Sequence, residues 1–154
     1  MIKKTSSKGF TLIELLVVIA IIGILSTVVL ASLNTARTRG ADAAIKSNLS
    51  NARAQAELYY EGNSSSYANV CTAPTGIAPL VNAAKTQASI STATVGDVAL
   101  TPTTATCRSS ATTWMAAVPL RSTNTRAFCV DNTGAAREVA TTGVVAGLTA
   151  CPAS

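Results

Sequence analysis

Phe10-Thr-Leu-Ile-Glu14-Leu-Leu-Val-Val-Ile-Ala20-Ile-Ile-Gly-Ile-Leu25-Ser-Thr-Val-Val-Leu30-Ala-Ser-Leu33 is an apolar run broken by one carboxylate. As a helix these residues rise about 36 Å, enough to cross the ~30 Å hydrocarbon layer of a bilayer. No proline or basic residue interrupts the run. Thr11, Ser26, Thr27 and Ser32 can return their hydroxyls to carbonyls of the preceding turn. Gly23 is its weak point, costing about 1 kcal/mol relative to alanine in a helix interior. Glu14 is the anomaly. An acid inside a membrane helix costs roughly 2.5–3.5 kcal/mol, so it is rare there and functional by default.

On the N-terminal side stands a short basic leader ending in glycine, Lys3-Lys4-Thr-Ser-Ser-Lys8-Gly9. On the C-terminal side the pattern turns amphipathic past Asn34. Ile45, Leu49, Ala52, Ala56 and Tyr59 step by four, three, four and three along one helical face. Arg37, Arg39, Lys46, Arg53, Glu57 and Glu61 supply charge around the rest of the cylinder, with Arg53 and Glu57 spaced for a weak pair. Gly40 is a place for a bend, and Gly62-Asn63 followed by Ser64-Ser65-Ser66 is a stop. The pattern predicts a single helix with an apolar first half and an amphipathic second half.

Gly9-Phe10-Thr11-Leu12-Ile13-Glu14 resembles the processing site of type IV prepilins and the related pseudopilins. The resemblance covers roughly the first third of the chain. It implies removal of residues 1–9 by cleavage between Gly9 and Phe10 on the cytoplasmic side, then N-methylation of the new Phe10 amine. It implies that Glu14 pairs with the Phe10 amine of a neighbouring subunit, or of its own chain while still in the membrane. The expected fold is α+β. Residues 10–33 form a protruding transmembrane or filament-core helix half, and 34–62 pack as its amphipathic half. Residues 63–154 form a globular head with a small antiparallel sheet. The implied partners are further copies in a helical homopolymer, the prepilin peptidase and methyltransferase, the inner-membrane assembly platform, and lipid before assembly. The subunit would begin as a single-pass inner-membrane precursor and end in an extracellular filament. Many family members carry a proline near the end of the apolar segment, where the helix unwinds on assembly. This chain has none there.

Three rivals compete with a structural pilus subunit. One is a secretory signal cleaved at Val29-Leu30-Ala31, against which Glu14 argues, since a disposable signal gains nothing from a charge in its core. Another is a pseudopilin of a secretion or DNA-uptake machine. The third is a membrane-anchored binding module that holds a ligand with its Thr-rich loop, which predicts a linker after the membrane span. None is visible.

The totals exclude more than they assign. At 154 residues there is room for one modest domain plus an appended segment. The formal charge of +5 includes Lys3, Lys4 and Lys8; without the leader nine basic residues face seven acids, a balance of +2. That leaves no strong case for nucleic acid. Histidine is absent, which removes the commonest general base and metal ligand. Serine, threonine and cysteine therefore lack an activator, Lys46 and Lys85 read as solvated, and the chain reads as a non-enzyme without cofactor. Asp131, Asn132, Thr133 and Glu138 bring oxygens to one region, but their spacing fits no calcium loop and Asp131-Asn-Thr-Gly134 suffices as a turn. No metal is expected.

Cys71, Cys107, Cys129 and Cys151 all follow the apolar segment and none shares a C-x-x-C spacing, which points to disulfides in an exported head. Three connectivities are possible. The preferred one is Cys71–Cys107, bracketing the weakly patterned Thr/Ala-rich region, with Cys129–Cys151, tying down the tail. The second would match the C-terminal disulfide-bounded loop of many type IV pilins. Within the head the sequence predicts a short helix over 77–85 and a loop over 86–113 with one edge strand near 95–100. Strands follow at 113–120 and 125–131 across a hairpin at residues 121–124, and a third at 136–141. Trp114, Val118, Phe128 and Val130 should then pack on the Ile45–Tyr59 stripe.

Overall fold

The structure, a computed structural model, describes residues 9–90 and 98–153. Helix α1 spans Leu12–Gly62 and runs through both Gly23 and Gly40. Helix α2 is Ala78–Gln87; strands β1 Thr106–Ser109, β2 Trp114–Pro119, β3 Arg126–Asp131 and β4 Ala136–Ala140 follow, then a 3₁₀ turn at Thr141–Gly143. The chain divides into two compact units at the Ala36/Arg37 boundary. The fold class is α+β, a long N-terminal helix and a small antiparallel sheet.

Beyond Gly62, α1 ends in a tight reversal. Asn63 N and Ser65 N both donate to the Tyr60 carbonyl, at 3.2 and 3.0 Å, while Ser64 and Ser65 take positive φ. The loop that follows is closed by its own backbone. Ile77 N donates to Val70 O at 2.8 Å, and a Cβ on Gly76 would collide with that same carbonyl oxygen, so only glycine fits. Tyr59 Oη anchors the loop to α1 by donating to Ala68 O at 2.8 Å.

The four strands form an antiparallel meander in the order β1-β2-β3-β4. Pairing Ala116 with Val130 and Val118 with Phe128 sets the face that meets α1. Ile45, Leu49, Ala52 and Ala56 are fully buried there with Trp114, Ala116, Val118 and Val130, joined by Ile77, Val81 and Ala84 from the α2 region. The alternate residues of the same strands, Met115, Ala117, Ala127 and Cys129, are buried on the opposite face under Leu100, Val144 and Cys151. The sheet is therefore covered on both sides, which is why every residue of β2 is buried.

Two strand assignments change. Of residues 95–100, the first three lie outside the described residues and 98–100 form no strand, although Leu100 N donates to Val144 O at 2.9 Å. The edge strand is instead β1, which the sequence hid inside a Thr-rich loop. It is held there by its ladder to β2 and by the Cys71–Cys107 disulfide. The second disulfide, Cys129–Cys151, fastens the C-terminal layer to β3. Their separations of 36 and 22 residues correspond to about 3–4 kcal/mol each in the chain-entropy picture.

Candidate functional site

The N-terminal segment is built from open backbone and a capped helix end. Gly9 has nothing within 4 Å of where a Cβ would sit, and Phe10 is 80% exposed. Gly9, Phe10 and Thr11 are not helical and are exposed. The helix begins immediately afterwards because Thr11 and Glu14 close a reciprocal cap. Glu14 Oε2 accepts from Thr11 N at 2.8 Å and from Thr11 Oγ1 at 2.7 Å, while Glu14 N donates to Thr11 Oγ1 at 3.3 Å. This is a capping box, Thr at the N-cap and Glu at N3, and it was legible as Thr-x-x-Glu. It gives Glu14 a role within its own helix besides the one its apolar setting suggests.

From Phe10 to Leu33 every large apolar side chain is exposed. The helix is apolar around its whole circumference there, with a mean hydropathy of 2.8 over its most apolar stretch. A helix of that kind needs lipid or other helices around it. Length and composition suffice to cross a membrane.

The unit from Arg37 onward holds four carboxylates in structural work that sequence reasoning missed or left open. Asp42, buried on α1, accepts from Arg121 N at 2.6 Å and Ser122 N at 3.2 Å, and so fastens the β2–β3 hairpin to the helix. Its sequence signal was thin: one acid early in an otherwise basic stretch. Glu138 takes Lys46 Nζ at 2.6 Å and Arg126 Nε at 3.0 Å. Lys46 is thus ion-paired rather than simply solvated, because the sheet brings β4 across to α1. The side-chain hydrogen bond from Lys46, ahead of its charge and those of Arg126, holds the Glu138 carboxyl below the usual range. Glu57 accepts from Tyr67 Oη at 2.9 and 3.0 Å.

Asp131 closes the β3–β4 turn. Its Oδ1 accepts from Thr133 N, Thr133 Oγ1 and Ala135 N, and its Oδ2 accepts from Cys151 N at 2.7 Å. Burial pushes its carboxyl up, but those donors outweigh it and the net shift is downward. Both Asp131 carboxylate oxygens are thereby engaged by protein donors, and Asp131 joins the turn to the C-terminal tail. Because the folded pKa is depressed, this contribution is present above the ordinary carboxylate pKa and lost as pH falls through the folded value. Asp131→Asn replaces one acceptor oxygen by a donor and is expected to destabilise the head by about 1–3 kcal/mol. Urea melts at pH 7 and pH 3 check it, and the gap between variant and parent should shrink at the lower pH.

Residues 4–30 match the family described as "Prokaryotic N-terminal methylation motif". The chain is also 45% identical over 64 residues to the "Type IV wide pilus major component PilA4" of Thermus thermophilus. That match covers 42% of this chain and 49% of the relative, so it spans about half of the relative's length. No solved structure matches the chain.

Proposed function

We propose that the protein is a structural subunit of a type IV pilus, a reading supported by the methylation motif matched at residues 4–30 and by the similarity to a type IV pilus component. The observation that carries the proposal is the juxtaposition of an open Gly9-Phe10 peptide, Glu14 one turn into the helix, and a fully exposed apolar surface from there to Leu33. Cleavage after Gly9 creates an amine at Phe10, and methylation of that amine follows. Glu14 Oε2 is engaged by Thr11, which leaves Oε1 as the acceptor for the Phe10 amine of an adjoining subunit. A desolvated ion pair contributes little raw stability, but a wrong register would strand a buried charge, and this fixes where each subunit stops.

The apolar segment serves twice in this scheme. It holds the subunit in the inner membrane, and then packs with its counterparts in a filament core that excludes water as the lipid did. The assembly platform transfers it from one to the other. The similarity to a pilus component supports a pilus over a secretion piston, and so do two disulfides stapling a head exposed outside the cell.

The test is intact-mass measurement on filaments sheared from cells and seen by electron microscopy. The subunit is expected to begin at Phe10 and to carry one methyl group. A start at Met1, or at Ser32 after signal cleavage, would remove the assignment.

A further inference from the structure

We propose that the cavity at the free edge of β1 binds a neutral N-acetylated sugar ring, the N-acetylhexosamine unit of a glycan. The cavity lies wholly in the unit from Arg37 onward and holds about 310 Å³, the lower end of the roughly 300–1,000 Å³ of small-molecule sites. That suits one ring rather than a chain. Both walls are fixed by bonds within the protein. The Cys71–Cys107 disulfide holds the wall that carries Thr72, and Arg108 Nη1 donates to Leu148 O at 3.0 Å to hold the one that carries Thr149. Arg108 Nη2 donates to Val98 O at 2.6 Å, so the guanidinium in the lining serves the fold. No acid lines the cavity. The lining therefore suits a neutral ligand.

One side of the cavity is an open peptide edge. β1 is the outermost strand of the sheet. Asn132 N donates to Trp114 O at 3.1 Å and Trp114 N to Asn132 Oδ1 at 3.4 Å, so the peptide groups of Trp114 face away from β1. Ser109 is the register partner of Trp114. In an antiparallel ladder its N–H and C=O then point outward, away from β2. Thr106, Cys107 and Arg108 are buried, whereas Ser109 is exposed. An added strand needs several consecutive edge residues, and only one is open here. An acetamido group matches that opening, because it carries a single N–H and a single C=O as a peptide unit does. The exposed hydroxyls of Ser109 and Thr149 suit the ring hydroxyls, and Leu148 with the disulfide offers apolar surface to the acetyl methyl. Trp114 also lines the cavity, and its buried indole N–H finds no partner in the protein. A buried donor without an acceptor is destabilising, and a sugar oxygen would relieve it.

Trp114 is the single tryptophan and reports on the cavity directly. The full chain, in micelles of a detergent without a sugar headgroup, is titrated with N-acetylglucosamine, N-acetylgalactosamine, glucose and galactose. The two acetylated sugars should change Trp114 emission saturably, with Kd about ten-fold below that of the plain hexoses. Thr149→Val should weaken all four alike. Ser109→Pro deletes an N–H that the β1–β2 ladder does not use, and should bring acetylated and plain sugars to the same affinity. Ser109→Ala keeps the peptide group and should keep the preference. An unchanged near-ultraviolet spectrum and both disulfides on peptide mapping verify the fold of each variant. Chitobiose should bind and an anionic muramyl disaccharide should not, which separates a neutral glycan from cell-wall glycan; the reverse order overturns the neutral site. So does the absence of any saturable change, equal affinity for acetylated and plain sugars, or a preference that survives Ser109→Pro in folded protein. Tighter binding of an N-acetyl-trialanine amide also overturns it, since the β1 edge then takes a strand. The titration is read on the unassembled chain, so its outcome is separate from that of the pilus reading.

Discussion

Glu14→Gln cells are expected to contain normal amounts of processed, membrane-inserted, folded subunit and at least ten-fold fewer filaments. The choice of glutamine matters because Glu14 has two roles that alanine would remove together. Its Oε2 closes the helix N-terminus with Thr11, and glutamine can occupy the same N3 position of a capping box. Glutamine therefore keeps the cap and deletes the charge. Loss of a cap costs about 0.5–2 kcal/mol and would show as fraying of the first turn of α1. Loss of one partner from a desolvated ion pair costs about 3–5 kcal/mol at each subunit contact, because the remaining charge is stranded. The second is larger and recurs at every subunit added, so assembly should fail before abundance does. Counting filaments by electron microscopy against subunit in membrane fractions separates them. Normal filament numbers from Glu14→Gln, with a defect only in Glu14→Ala, would reduce Glu14 to a capping residue and remove the register argument.

Where the sequence could be read, hydrophobic period was strong and local. The change from an all-round apolar helix to the Ile45–Leu49–Ala52–Ala56 stripe is visible because each buried position is an apolar side chain three or four residues from the next. β2 and β3 announce themselves through Trp114, Val118, Phe128 and Val130. β1 does not: Thr106-Cys-Arg-Ser has no alternation, and its strand state comes from pairing with β2 and from Cys71, both remote in sequence. The second layer was equally hidden. Its members include alanines, single valines and a cysteine in the last stretch of chain, too small and scattered to form a pattern until β2 and β3 present a face to cover. Asp42 and Asp131 look like ordinary polar residues in sequence, and their roles exist only once a hairpin and a tail arrive from residues 121 and 151. The capping box was the opposite case. Thr11 and Glu14 stood in plain view, and the membrane cost of the acid drew the reading toward its external partner.

A fragment of residues 37–154 should be a folded, soluble monomer, whereas one beginning at Glu61 should be unfolded or aggregated. The difference between the two is the second half of α1, and what it removes is the helix side of the core. Ile45, Leu49, Ala52 and Ala56 lie fully buried against the sheet, and Asp42 and Lys46 reach from the same segment to the hairpin and to Glu138. Truncating a single buried leucine or isoleucine to alanine costs about 2–5 kcal/mol, against a total stability of about 5–15 kcal/mol for a domain. Loss of the whole stripe therefore exceeds what the two disulfides, at about 3–4 kcal/mol each, can offset. The sheet would also be left with Trp114, Val118 and Val130 facing water. A four-stranded meander covered on only one face by a few small side chains has too little buried area to stand alone. Among the described residues the longer fragment loses only side chains that are exposed in any case, those of residues 9–36, and should gain solubility without losing core. Circular dichroism and amide dispersion in a heteronuclear spectrum distinguish the outcomes. A well-dispersed spectrum from the fragment starting at Glu61 would mean that the head is self-sufficient and that the amphipathic half of the helix is docked onto it rather than built into it.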